Sequence, residues 1–336
     1  MKERKFTGKI FWEGELRDGT LYLNGENVSF DEAMDSSAPK GTLIPSFINS
    51  HTHIGDSFIG TEPVGSLSEI VGPNGLKHRM LNSTETGIIR KYMRESLEIM
   101  KETGTSTFMD FRESGLKGVS LLNNIGVKYP EKVVLGRPSS IEEGETMINM
   151  VDGFGMSSIS DHNLDMLKEL RNICRKEKKI FAIHFSEGNP ENTDEIFELS
   201  PDLVVHCIFT DEDFLLSAQK RGMSISITPR SNVFYGIRAD YSRFYDGGLK
   251  VMLGTDNCMV ASPDMFSEMD FIYRLQRDKM RIDPREILCS ALSNPRLFLA
   301  EHGKQPDRNL IFFPNKLLTE YEIIIKGRHL RNELIR

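Results

Sequence analysis

The sequence predicts an α/β protein, a (β/α)8 TIM barrel with a small β domain beside it, and three features carry that expectation. From residue 42 onward, short apolar or β-branched runs alternate with amphipathic stretches, which is the pattern of βα units feeding a parallel sheet. Eight such units can be placed. No Gly-rich phosphate loop follows the first strand, where His51-Thr52-His53-Ile54 stands instead, so a closed barrel fits better than an open doubly wound sheet.

Strands are expected at 43–49, 106–111, 133–137, 153–159, 180–185, 203–209, 223–228 and 250–253. Helical spacing of apolar residues marks 86–103, 164–179, 211–221 and 265–280 between or after them. Asp211 and Glu212 favour a helix start, and Lys220, Arg221 and Gly222 favour its end. A last helix is expected over 284–301. The ends of the chain read differently. Short strands at 9–11, 20–23 and 28–30 are matched near the C-terminus by 310–313 and 321–325. Neither end can bury a core alone, so the two should pair, giving a β domain of 1–42 and 305–336 beside a barrel of 43–304. The Gly- and Pro-containing segment 54–83 is long for a connection and is expected to wall or cover a binding site.

Composition narrows the class of function. With 336 residues, 39% hydrophobic and 27% charged, the chain reads as a globular protein. A net charge of −7 with no Lys/Arg run argues against a nucleic-acid partner. The charged start, Met1 to Lys5, leads into no apolar segment, and no stretch has the length and apolarity of a membrane span. Cys174, Cys207, Cys258 and Cys289 are scattered, which speaks against a disulfide framework. A cytoplasmic protein acting on a small molecule is the expectation, with a homo-oligomer left open.

The chemistry begins at Asn49-Ser50-His51-Thr52-His53. Two histidines two apart on a strand share a face, and at the C-terminal end of a barrel strand they would aim into the mouth. Alone, such a pair is commonly two ordinary loop histidines. Here His184 ends the expected fifth strand, His206 lies in the sixth, and Asp256 follows the eighth. Imidazoles with one carboxylate suit a borderline cation such as Zn2+, which would bring the pKa of its water to about 7.

Gly41-Thr42-Leu43-Ile44-Pro45 leading to His51-Thr52-His53, followed by His184, His206 and Asp256, resembles the strand motifs of the amidohydrolase superfamily over about residues 41–301. Binuclear members carry a bridging lysine on the fourth strand. The segment from Gly153 to Ile159 has none, which implies one divalent metal ion, with Zn2+ expected and Fe2+ the alternative. His184-Phe185-Ser186-Glu187 is similar to the H-x-x-E of the deaminase and chlorohydrolase branch, as are His206-Cys207 and Pro229-Arg230-Ser231-Asn232. The resemblance implies a metal held by His51, His53, His184 and Asp256. It further implies water oriented and deprotonated by Asp256 and His206, and protons carried by Glu187. The implied reaction is hydrolytic deamination of an aminated heterocycle. The alternatives are hydrolysis of a cyclic amide, amidine or chloro-substituent, and an inert barrel used for binding or regulation. The chain departs from the family pattern at Gly303-Lys304-Gln305-Pro306-Asp307, where an Asp-Ala-Asp turn is usual.

Substrate contacts are expected from Arg230 and Asn232 after strand seven, from Arg137 at the end of strand three, from Arg112 on strand two, and from His78, flanked by Lys77 and Arg79, in the long first loop. For Arg112, an ion pair with Asp110 is the competing structural reading. Cys207 should point away from the mouth as a buried thiol.

Overall fold

The computed structural model describes residues 4–25, 27–246, 248–277 and 281–335. Four strands open the chain: β1 (Arg4–Trp12), β2 (Glu15–Asn24), β3 (Asn27–Asp31) and β4 (Lys40–Pro45). Next come β5 (Phe47–His53), β6 (Thr105–Arg112), β7 (Glu131–Gly136), β8 (Gly153–Met156), β9 (Ile180–Phe185), β10 (Leu203–His206), β11 (Ser224–Ile227), β12 (Lys250–Leu253) and β13 (Asp256–Asn257). The chain ends with β14 (Leu310–Pro314) and β15 (Glu333–Ile335).

Two sheets result. The smaller has the order β15-β14-β4-β1-β2-β3, so both ends of the chain meet in it. β14 runs antiparallel to β4, and Phe6, Ile10, Leu21, Leu43 and Phe312, from β1, β2, β4 and β14, form a separate apolar cluster on one face of this sheet. The larger is a curled parallel sheet of nine strands, in which β5 to β12 pair in chain order and β13 returns to pair with β5. Gly254 donates its N–H to Ile227 on β11 and Thr255 donates to His51 on β5, so these two residues hand the chain from one neighbour to the other.

The expected strand 43–49 is divided. Ser46 donates its N–H to Asn309 in the terminal segment, whereas Phe47 donates to Gly104 beside β6. Hydrogen bonding thus changes sheet at Ser46, and Leu43 to Pro45 belong to the smaller sheet. The expected strand 321–325 is a helix, Glu320–Lys326, despite its three isoleucines. A reciprocal cap between Thr319 and Glu322 starts it, and Ile323 and Ile324 are buried where it meets helices Met265–Leu275 and Pro284–Ala291. The expected helix 284–301 is two, Pro284–Ala291 and Ser293–Glu301, because Pro295 offers no N–H to the carbonyl of Ala291. The expected helix 265–280 ends at Leu275, and its last three residues, 278–280, lie outside the described ones.

Alternation along the larger sheet separates two cores. Ile48, Phe111, Leu135, Ala182, Val205 and Met252 fill the interior. The opposite faces of the same strands, with Phe47, Phe108, Phe154 and Phe181, pack under helices such as Thr86–Glu102 and Leu164–Lys176. Gly155 faces inward because a Cβ there would lie 2.6 Å from the Phe111 ring. The interior is therefore packed, and the chemistry is confined to the C-terminal ends of the strands.

Candidate metal centre

Strand alternation by itself would turn two of the candidate ligands the wrong way. Ile48 points inward, so unbroken β geometry would send His51 and His53 out toward the helices. The register between β5 and β6 shifts between Asn49 and Thr52, and this irregularity inverts the parity and brings both imidazoles inside. On β10, Val205 points inward and His206 should not, yet His206 has φ +73° and turns back into the mouth. Asp256 has φ +61°. Non-glycine residues in this region are strained by about 1–3 kcal/mol each and persist where the surroundings enforce them. Cys207, next to His206, packs in the outer apolar core as expected, and burial pushes its thiol up.

His51, His53, His184 and Asp256 present ligand atoms within 4.8 Å of one another, and Glu187, His206 and Asp256 form a second such group sharing Asp256. His53 Nε2 lies 3.4 Å from both His184 Nε2 and Asp256 Oδ1, and His51 Nε2 lies 3.2 Å from Asp256 Oδ1. The far sides of the rings are tied down. His184 Nδ1 is 2.7 Å from the Met156 carbonyl, and His53 Nδ1 is 3.0 Å from the Phe111 carbonyl and 2.6 Å from Glu113 Oε1. Each of those Nδ1 atoms must carry the proton, which leaves the Nε2 lone pairs of His53 and His184 facing each other and the Asp256 carboxylate. Burial pushes His53 down to about 3, and burial with the neighbouring imidazoles holds His184 well below its ordinary range. Buried His51 Nδ1 has no hydrogen-bond partner among the described residues. The Nε2 acceptors of His53 and His184, on neutral imidazoles oriented from behind, converge with no proton between them beside the Asp256 carboxylate, and this fits a divalent cation.

Asp256 is held in place by Ser231, whose Oγ donates to Oδ2 at 2.6 Å. Burial alone would raise its pKa, but its hydrogen bond with His51 and the imidazoles around it hold it well below the carboxylate range. Glu187 is opposite in character. Burial and the charge of Asp256 push its carboxyl well above the ordinary range. Its Oε2 stands 3.4 Å from His206 Nε2, and Asn232 Nδ2 donates to its Oε1 at 3.1 Å. The Tyr241 hydroxyl donates to Asn232 Oδ1, so the amide nitrogen faces Glu187 and also His206 Nδ1 at 3.3 Å. That nitrogen can only donate, so His206 keeps its proton on Nε2, toward Glu187. Burial pushes His206 down to about 3, and the contact is one between neutral groups, not an ion pair.

These groups border a cavity of about 490 Å3, within the range of small-molecule sites. Its wall includes Ser66, Leu67, Val71, Pro73 and Lys77 from the long segment after β5.

A match to the family model described as "Amidohydrolase family" spans residues 42–299. A protein from Archaeoglobus fulgidus, provisionally named an aminohydrolase, is 35% identical over 83% of this chain and 81% of its own. One from Methanothermobacter thermautotrophicus with the same provisional name is 32% identical over 87% and 85%. The chain belongs to the amidohydrolase family.

As an amidohydrolase it is an enzyme acting on carbon–nitrogen bonds. Its fold is shared with a zinc-containing adenosine deaminase from Xanthomonas campestris (TM-score 0.78, 13% identity, 98% of this chain and 90% of that one). It is shared also with a guanine deaminase from C. acetobutylicum (0.71, 15%, 93% and 91%) and with the Helicobacter pylori aminofutalosine deaminase (0.74, 16%, 98% and 97%). Among the described residues no helix is long and apolar enough to cross a membrane.

The expected substrate contacts of this amidohydrolase fall in different places. Arg112 shares the outward parity of Asp110, and its guanidinium pairs with Asp110 at 3.3 Å and Glu113 at 2.6 Å, away from the cavity wall. Arg230 turns to Glu268 at 2.6 Å and to the Ser262 carbonyl, and likewise does not line the cavity. Asn232 reaches the site only through Glu187 and His206. His78 is half-buried and pushed down to about 4 by burial and then by Lys77, but its neighbour Lys77 is the one in the wall. Arg137 does line the cavity, on the inward parity of Val133 and Leu135.

Two residues of the site were not singled out from sequence. Glu113 is fully buried and accepts from His53 Nδ1, Lys77 Nζ at 2.7 Å and Arg112 Nη2. Burial would raise its pKa, but His53, Lys77 and Arg112 bring it well below the carboxylate range. Extending the inward alternation Met109, Phe111 by two would have found it. Tyr235, whose buried hydroxyl has no partner among the described residues, also lines the cavity. No spacing rule pointed there.

Proposed function

We propose that the protein is a metal-dependent hydrolytic deaminase of an aminated heterocycle, working at the mouth of a (β/α)8 barrel in which β12 and β13 count as one interrupted strand. The observation that carries the reading is Glu187, a carboxyl with a raised pKa set 3.4 Å from His206 and beside a cation-binding cluster, inside a cavity of small-molecule size. Three proteins of the same fold that are named as deaminases support it.

His51, His53, His184 and Asp256 would hold a divalent cation, Zn2+ expected and Fe2+ the alternative, which would supply Lewis acidity enough to bring the pKa of water to about 7. Asp256, kept ionised and aimed by Ser231, accepts a proton from the attacking water. Glu187, kept protonated, gives its proton to the ring nitrogen as a C–O bond forms at the amine-bearing carbon. His206 Nε2–H donates to the oxygen that gains charge. The remaining hydroxyl proton then passes through Glu187 to the amino group, the C–N bond breaks, ammonia leaves a ring carbonyl behind, and the proton taken up by Asp256 returns to Glu187.

The test is ammonia release, by a coupled assay, from purified metal-loaded protein over amino-purines, amino-pyrimidines, their nucleosides and nucleotides. Ammonia in step with the change in ring absorbance is expected. A ring change without ammonia would move the reading to hydrolysis of a cyclic amide, amidine or chloro-substituent.

A further inference from the structure

We infer that the ring bound at this site carries an oxyanion substituent, a carboxylate or a phosphate ester, received by Arg137; this rests on the heterocycle reading above. The cationic side chains around the mouth differ in one respect, namely whether the charge is already matched. Arg112 is neutralised by Asp110 and Glu113, Arg230 by Glu268, and Lys77 by Glu113 with a further bond to Asn257 Oδ1 at 3.1 Å. Arg137 is not. Its Nε donates to the Gly155 carbonyl at 3.2 Å, while its two Nη groups have no hydrogen bond or ion pair among the described residues. Glu113 and Asp161 act on it electrostatically, and Asp161 shares the wall, but neither forms an ion pair or hydrogen bond with its Nη groups.

The placement is built, not incidental. Arg137 follows the inward-facing Val133 and Leu135 on β7, and its backbone N–H donates to the Arg112 carbonyl. The carbonyl that anchors Nε belongs to Gly155, and the next carbonyl along β8, that of Met156, orients His184. The guanidinium is therefore fixed through one strand to a ligand of the metal cluster. Ser157, Ser158 and Ser160 follow the same strand into the wall, where the Ser157 hydroxyl meets His162 Nε2 at 2.8 Å and the Ser158 hydroxyl donates to Glu191. A guanidinium that is half-buried with its fork unmatched is a costly arrangement, and the fork's planar donors fit a carboxylate or phosphate edge in two parallel bonds. The anion reaches Arg137 while the ring lies at His184 and Asp256, because all three border one cavity.

The probes are product-like rings in neutral and anionic pairs, inosine with inosine 5′-monophosphate and uracil with orotate, titrated calorimetrically into the zinc-loaded enzyme. The anionic member of at least one pair is expected to bind at least about tenfold tighter than its neutral sibling, in line with a charge-assisted bidentate contact. The pair that shows the preference identifies phosphate or carboxylate as the source. Arg137→Ala should bring the two members to within about threefold of each other, and Arg137→Lys should retain part of the preference. Arg137→Gln stands in if the alanine variant loses its folded circular dichroism. No preference in either pair, or a preference that survives loss of the guanidinium, overturns the inference. The ammonia assay is read separately. Ammonia from neutral and anionic amines alike, with no binding preference, keeps the deaminase reading and ends this one. An Arg137-dependent preference without ammonia does the reverse.

Discussion

Glu113 Oε1 stands 2.6 Å from His53 Nδ1, on the side of the imidazole turned away from the metal cluster, and takes the Lys77 ammonium at 2.7 Å on the same oxygen. A buried carboxylate thus orients an imidazole of the candidate cation site from behind, and Lys77 helps to keep that carboxylate ionised. Substituting such supporting groups commonly lowers metal affinity about 10–100-fold. Glu113→Gln should do so in a chelator-competition titration, and it should also lower Tm by leaving Lys77 buried without its counter-charge. Adding Lys77→Met should restore much of the Tm but not the affinity. Wild-type affinity in Glu113→Gln would remove this residue from the centre.

Glu187 sets the expected pH dependence. Its carboxyl is raised, and the donor role needs the protonated form, so its active fraction shrinks as pH climbs through that raised value. Asp256 is held low and stays ionised across the same window, so it adds no limb there. The profile of kcat/KM should fall on its alkaline side through loss of the Glu187 proton. Glu187→Gln should abolish that limb and reduce turnover at least about 10²-fold with metal content unchanged. Near-normal turnover would end the proton-carrier role.

At Gly254 the junction between β12 and β13 presses on His51. A Cβ there would lie 2.6 Å from His51 Cβ and 2.8 Å from His51 N, both atoms that cannot swing aside. Gly254→Ala should destabilise the fold by about 1–3 kcal/mol in denaturant unfolding and lower metal occupancy. Gly60→Ala, where an added Cβ meets nothing within 4 Å, should change neither. Equal behaviour of the two variants would argue against the close approach.

Removal of the metal should be visible in stability as well as activity. A ligand that binds only the folded chain adds about 4 kcal/mol at a concentration a thousandfold above its Kd. Chelation should therefore lower Tm by several degrees, and Zn2+ should restore it. A Tm indifferent to chelator, with no metal by elemental analysis of the protein, would count against the centre.

The alternation of βα units, the terminal strands 310–313, and the set His51, His53, His184, Glu187, His206 and Asp256 were legible because each rests on local spacing or on a motif quoted residue by residue. What failed were inferences of direction and partnership. Arg230 read as better placed than Arg137, yet its counter-charge Glu268 takes it out of the cavity wall, whereas Arg112 follows the competing reading and pairs with Asp110 and Glu113; His78 does not line the cavity. The isoleucine run of 321–325 read as a strand because propensity is local, whereas its helix is decided by a cap and by what it packs against.

By itself, then, the sequence determined the candidate cation ligands with Glu187 and His206 beside them, and roughly where along the chain each strand delivers one. The tertiary structure decided which way they face. A shift of register in β5 and a positive φ at His206 each reverse the alternation on which any reading of faces depends, and such reversals are stabilised by neighbouring strands, not by the residues that undergo them.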